Sequence, residues 1–148
     1  MSKKVFFDTD VILDVILKRQ PHFKSSQQVI SLAEDGLLQG YTSSLIVANC
    51  YYIISSIKDS KTAIKAVSKM RVFLKILSFT DAEISQSINS GIKDFEDAIQ
   101  YFICKNNNIS NLITRNVSDY RKLEINALSP SDFLNLNEIK RIIEEPNN

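Results

Sequence analysis

Short apolar runs alternate along the chain with longer stretches in which apolar residues recur every three or four positions. Val5-Phe6-Phe7 is a β-type run that ends at Asp8-Thr9-Asp10. Over residues 11–18 the apolar positions Val11, Ile12, Val15 and Ile16 fall at helical spacing, and Pro21 stops the run. A second amphipathic segment covers residues 23–34 and closes at Gly36. Gly40-Tyr41-Thr42 predicts a brief strand, and Ser43 or Ser44 an N-cap for a helix over residues 45–57. Residues 61–70 predict a further helix with Ala63, Ile64, Val67 and Met70 turned inward. Residues 72–79 are apolar enough for a buried strand, after which Thr80 caps a helix with Glu83 completing a capping box. Residues 94–106 predict a helix carrying Phe95, Ala98, Ile99, Phe102 and Ile103 on one face. A strand over 111–114, a short helical turn over 118–123 and a last strand over 125–128 follow. Ser129-Pro130-Ser131-Asp132 opens the closing helix, with proline near its first turn.

Strands alternating with helices predict an α/β domain, a parallel sheet covered by helices on both faces. A chain of 148 residues, 44% hydrophobic and 24% charged, suits one such domain, assigned to residues 1–142 with a loose tail over 143–148. The net charge of +1 gives no general basic footprint, so nucleic-acid binding has to rest on a local patch. Lys18, Arg19, Lys58, Lys61, Lys65, Lys69 and Arg71 form a candidate basic path, with a solvated helix face as the competing reading. One histidine, His22, excludes a His-based triad or zinc site, and Cys50 and Cys104 read as reduced core thiols. Three glycines, Gly36, Gly40 and Gly91, cannot make GxGxxG or a phosphate loop. No run reaches the roughly 20 apolar residues of a membrane span, and the N-terminus lacks a signal-peptide pattern. The expected location is cytoplasmic.

Ligands of a parallel α/β sheet bind at the carboxyl ends of its strands. Asp8 follows the first strand directly, while Asn116 and Asp119 follow the strand ending at Thr114. Asp94, Glu96 and Asp97 open the preceding helix, and Asp94 and Asp97 share a face. Each has a plain structural reading, as a helix cap or a solvated charge near a helix N-terminus. Asp97, flanked by Phe95, Ala98 and Phe102, and Asp8, which interrupts apolar sequence, fit that reading least. Carboxylates drawn together repel unless a cation neutralises them or their pKa values rise. Oxygen donors alone favour Mg²⁺ or Mn²⁺, ions suited to phosphodiester hydrolysis.

Four segments, in order, resemble the PIN-domain family. Val5 to Asp14 (VFFDTDVILD) resembles its opening strand and "DTNVLLD" motif. Residues 43–49 (SSLIVAN) resemble its "S…E" helix start, and residues 94–100 (DFEDAIQ) its third motif. Residues 112–120 (LITRNVSDY) resemble its closing "TRNxxDF" motif, and residues 128–134 (LSPSDFL) the usual end of these domains. The resemblance implies a three-layer α/β/α sandwich around a parallel sheet of about five strands. It also implies that Asp8, Asp97 and Asp119 ligate Mg²⁺ or Mn²⁺, with Asn116 assisting and Asp94 in an outer or second-metal role. Thr9 and Ser43 would orient carboxylates or water, and Arg115 would contact a substrate phosphate or pair with a nearby acid.

Small free-standing PIN domains resemble the VapC-like toxins of bacterial toxin–antitoxin pairs. The implied activity is endoribonuclease action on a structured RNA, restrained by an antitoxin. Homodimerisation through the helical faces of residues 45–57 and 61–70 is a further implication, with core packing as the alternative. One departure stands out: Asn49 occupies the position where much of the family has glutamate, and Asn116 stands where other members have Asp. These amides leave open a second reading, a catalytically impaired PIN-fold module that binds RNA or a protein without cutting. A receiver-like or phosphatase-like domain fits badly, because the acidic weight falls after residue 94.

Overall fold

A computed structural model describes residues 2–145. Its centre is a five-stranded sheet in the order β3-β2-β1-β4-β5, every neighbouring pair parallel. The strands are β1 (Lys4–Phe7), β2 (Gln39–Ser43), β3 (Leu74–Leu77), β4 (Asn111–Ile113) and β5 (Asn126–Leu128). Val5, Phe6 and Phe7 are all buried although consecutive side chains point to opposite faces, so β1 is covered on both sides. β2 and β4 are equally enclosed, whereas β3 and β5 form the partly exposed edges. The three-layer parallel sandwich implied by the sequence is therefore the fold.

The chain runs β1 to β2 to β3 outward in one direction, then returns to place β4 on the other side of β1. The connecting helices are α1 (Thr9–Ile16), α2 (Phe23–Glu34), α3 (Ser44–Ile57) and α4 (Ser60–Phe73), then α5 (Asp81–Ile88) and α6 (Phe95–Asn106). α1 packs on α2 and α3, and α3 on α4, while α5 and α6 pack on each other. Right-handed crossovers place a helix group on the opposite face once the direction of travel reverses. α7 (Pro130–Leu134) then folds back onto α2, and α8 (Asn137–Glu144) closes the described chain.

Local chemistry sets the boundaries. α2 ends in a left-handed Gly36 (φ +76°), with Gly36 N–H on the Ala33 carbonyl and Leu37 N–H on that of Leu32. That double closure is a Schellman turn, which glycine enters without steric cost. Thr80 and Glu83 make the expected capping box, and Pro130 stands in the first turn of α7 behind Ser129. At Gly40 a Cβ would lie 2.7 Å from Leu74 and 3.0 Å from Ala33, so β2 approaches both neighbours more closely than a side chain allows.

Several expectations are corrected. Val72 belongs to α4, not to a strand, and is 84% exposed, because the helix continues to Phe73 and only Leu74–Leu77 pairs with β2. Ile64 faces solvent, since the inward stripe of α4 runs through Ala63, Ala66, Val67 and Met70. Phe95 is also exposed, while Gln100, Tyr101 and Cys104 are buried on α6. The closing helix is two helices, and Ile143 and Glu144 of the expected loose tail belong to α8. Residues 146–148 of that tail lie outside the described residues. Both cysteines are free and buried, as expected of core thiols. No helix of the described residues is long and apolar enough to cross a membrane.

Candidate active site

The reversal of travel lies between β1 and β4, which makes the carboxyl ends of these two central strands the topological switch point. Asp8 leaves β1 there, and Thr114 and Asn116 leave β4 there. The first residue after β1 is pinned across the gap, its Asp8 N–H donating to the Ile113 carbonyl at 3.0 Å. The pocket above these ends, about 480 Å³, is walled by Asp8, Asp10, Asp94, Glu96, Asp97 and Asp119. Asn49, Asn116 and Thr9 add neutral oxygen donors, and Tyr52 and Ile53 form its lip. No lysine or arginine lines it among the described residues.

Asp8 is 8% exposed and held by two donors. Thr9 N–H donates to one carboxylate oxygen at 2.8 Å and Thr114 Oγ1 to the other at 2.8 Å. Burial raises the Asp8 pKa, opposed by the Thr114 and Thr9 hydrogen bonds and reinforced by Asp10 and Glu96. Thr114 Oγ1 also accepts the Asn116 N–H at 3.0 Å, so a single hydroxyl ties the β4 exit loop to Asp8. Asp97 lies on the first turn of α6, where Tyr120 OH donates to its Oδ1 at 3.0 Å. Burial pushes Asp97 up to about 7; the Tyr120 hydrogen bond opposes this, while Asp94, Asp8 and Asp119 add to it. Tyr120 is fully buried at the end of a 3-10 turn, Val117–Tyr120, that carries Asp119 beside the pocket.

Asp94 caps α6, its side chain accepting the Asp97 N–H at 2.9 Å, so the capping reading and the pocket reading both hold for it. Asn49, on α3, donates to Glu96 across the pocket at 3.4 Å. Glu96 is exposed, in keeping with the solvated reading, and also lines the pocket opposite the position where glutamate was missing. Among the described residues Ser43 makes no hydrogen bond to a carboxylate. Fully buried, it caps α3 by accepting the Ile46 N–H and donates to Gln100 Oε1 at 2.9 Å. Thr9 acts through its backbone N–H and lines the pocket. Arg115 takes the acid-pairing option, its guanidinium 3.3 Å from Asp14 and 3.6 Å from Asp10. Arg19 binds the same two acids at 3.0 and 3.1 Å, so the lower rim of the pocket is neutralised from behind.

Thr114, Tyr120 and Gln100 were not singled out by sequence reasoning as site groups, and Glu96 was named among the candidates without a role. Tyr120 did carry a signal, a phenol where the motif has Phe, since a buried hydroxyl must find a partner. The expected basic path is elsewhere: Lys18, Lys65 and Lys69 line a separate apolar groove between α1, α2 and α4 that shares no residue with the acidic pocket.

Among the described residues, no three acidic, histidine or cysteine side chains stand close enough together to hold an ion as they are. In composition the donor set fits a hard cation, being oxygen throughout.

Residues 4–118 match the family model for the PIN domain. The chain is 31% identical over 137 residues to ribonuclease VapC1 of Aquifex aeolicus (strain VF5), covering 89% of this chain and 94% of that protein. The solved structure of VapBC2 from Rickettsia felis, bound to a DNA fragment from its promoter, superposes with a TM-score of 0.63 at 16% identity, covering 85% of this chain and 98% of that one. A toxin–antitoxin complex from Klebsiella pneumoniae gives 0.65 at 19% identity, covering 85% and 97%. Mycobacterium tuberculosis VapC20, described as a toxin cleaving the Sarcin-Ricin loop, gives 0.66 at 12% identity, covering 82% and 96%. At these identities the structural likeness is one of fold.

Proposed function

The chain belongs to the PIN domain family, and we propose that it is a metal-dependent endoribonuclease, the toxin of a toxin–antitoxin pair acting in the cytoplasm. The observation that carries the reading is a pocket at the β1–β4 switch point walled by Asp8, Asp10, Asp94, Glu96, Asp97 and Asp119, with no cation among its lining residues. The 31% identity to a ribonuclease over nearly the whole chain supports the same activity.

Asp8, Asp97 and Asp119 would hold Mg²⁺ or Mn²⁺, with Asn116 assisting and Asp94 in an outer role. When bound, such an ion lowers the pKa of a water and neutralises charge developing on the phosphoryl oxygens. The protein's own part is positional. Thr114 fixes the rotamer of Asp8, and Tyr120 that of Asp97, so that both carboxylates aim into one space. Asp97, raised to about 7, would have to give up its proton to hold such an ion. Glu96, positioned by Asn49, supplies the negative charge that an amide at position 49 lacks. Arg19 and Arg115 hold Asp10 at the edge of the pocket.

An antitoxin partner is part of this reading, supported by structural likeness to toxin–antitoxin complexes. The exposed Ile57, Ile64 and Val72 on α3 and α4 are available to a homodimer contact. The amides Asn49 and Asn116 favour one competing reading, a PIN-fold module that binds RNA without cutting.

The deciding experiment is incubation of a mixed RNA pool with purified protein in Mn²⁺, Mg²⁺ or EDTA, beside Asp8→Asn and Asp97→Asn. Cleavage with either metal, absent in EDTA and in both variants, is the expected result. No cleavage by folded wild-type protein in either metal would overturn the nuclease and leave the binding module.

A further inference from the structure

Beside the acidic pocket lies a second groove of about 440 Å³, and Asp119 belongs to the walls of both. Its other walls include Lys93, from the loop before α6, and Arg121 and Lys122, from the segment after the 3-10 turn. Ser90 and Ser118 add hydroxyls. The three cations are exposed, and none forms an ion pair among the described residues. Arg19 and Arg115, by contrast, are committed to Asp10 and Asp14. Three unpaired cations on one groove carry a repulsive cost that a polyanion removes. Among the described residues, Asp119 is the only acid in its walls.

From this juxtaposition we infer that the groove formed by Lys93, Arg121 and Lys122 binds the phosphates of the substrate RNA strand next to the scissile one. The inference rests on the ribonuclease reading and specifies the face along which the strand leaves the site. It also resolves a charge problem. A pocket walled by carboxylates repels an RNA backbone, and the net charge of +1 offers no general attraction. A local cationic groove sharing Asp119 with the pocket supplies that attraction at the point of use. Phosphate contacts of this kind set register and orientation without reading sequence.

The test compares RNA binding by three proteins, each in an Asp97→Asn background that keeps the strand intact. They are the parent, the groove variant Lys93→Gln/Arg121→Gln/Lys122→Gln, and the control Lys61→Gln/Lys65→Gln/Lys69→Gln on α4. The probe is a fluorescein-labelled single-stranded RNA of mixed sequence, read by anisotropy over a range of salt in Mg²⁺. Each lost phosphate contact removes about 0.7 from the slope of log affinity against log salt for a single strand. Three lost contacts lower the slope by about 2, equivalent to about 100-fold weaker binding at 0.1 M salt. The control keeps the parent's affinity and slope. Thermal unfolding of the groove variant, and Mn²⁺ titration of the same three substitutions with Asp97 retained, check that fold and acidic pocket are intact, and Lys93→Glu alone is the fallback should the triple variant misfold. An unchanged slope in the groove variant, an equal loss in the control, or no RNA binding by the parent would each overturn the inference. Cleavage of the RNA pool by otherwise unaltered protein separately reports whether the ribonuclease reading stands.

Discussion

Replacing Asp97 by Asn removes a charge that the metal-free fold accommodates badly while keeping an oxygen to accept the Tyr120 hydroxyl. Asp97 is raised from 3.8 to about 7, chiefly by burial and further by Asp94, Asp8 and Asp119. A carboxyl group raised in the folded state keeps a proton that the unfolded chain has already released. Its penalty is therefore absent at low pH, grows as pH rises above the unfolded value, and is complete once pH passes about 7. A shift of that size corresponds to about 4 kcal/mol at full desolvation. The pocket is open to water and Asp97 is only part-buried, so screening reduces the figure to about 1–2 kcal/mol. In EDTA at pH 8, urea unfolding should find Asp97→Asn more stable than wild type by about 1–2 kcal/mol. At pH 5 the linkage leaves less than half of that gain, and near pH 4 the two proteins should coincide. Manganese at about 100 times its dissociation constant adds about 2.7 kcal/mol to a protein that binds it. Wild type gains that increment and the variant does not, so the order of stabilities reverses. A variant less stable than wild type in EDTA at pH 8 would refute the reasoning, because Asp97 would then be a favourable structural charge.

Three further outcomes follow from the same geometry. Mn²⁺ affinity should fall as pH drops below about 7, since Asp97 must lose its proton; calorimetry in two buffers of different ionisation enthalpy should register the release. Glu96→Gln should weaken Mn²⁺ binding about tenfold, and Asn49→Glu in that background should restore it; an unaffected Glu96→Gln protein would show that Glu96 only anchors Asn49. Asp14→Ala should destabilise by about 3–5 kcal/mol in chemical unfolding, because Asp14 is fully buried between Arg19, Arg115 and Ser26 and its loss strands two guanidinium groups.

Local signals carried most of the secondary structure into the sequence. The bounds of α2, the Thr80–Glu83 capping box, the Ser43 cap and Pro130 at the start of α7 follow from residues within one or two turns of each other. Val72 and Ile64 misled because apolar identity says nothing about which face of a helix meets its neighbour, and only Ala63 and Met70 of α4 are fully buried. The same limit governed the site. Asp8, Asp97, Asp119 and Asn116 were legible because each sits in a local motif. Thr114 and Gln100 were not, because their roles depend on partners 106 and 57 positions away.

Those distant partners explain why the pocket has the electrostatics it has. Asp8 receives a hydroxyl and a backbone N–H and is still raised, while Asp97 receives one phenol and lies near 7. Hydrogen bonds thus aim the carboxylates without neutralising them. The pairing cations, Arg19 and Arg115, are spent on Asp10 and Asp14. Through Asp10 both arginines reach the edge of the pocket, but neither pairs with another of its carboxylates. Asp8, Asp94, Glu96, Asp97 and Asp119 thus carry no ion pair among the described residues, while Arg19 and Arg115 hold Asp10 and the buried Asp14. A bound cation would relieve both the burial and the repulsion that raise Asp97, and Asp97→Asn measures the two together.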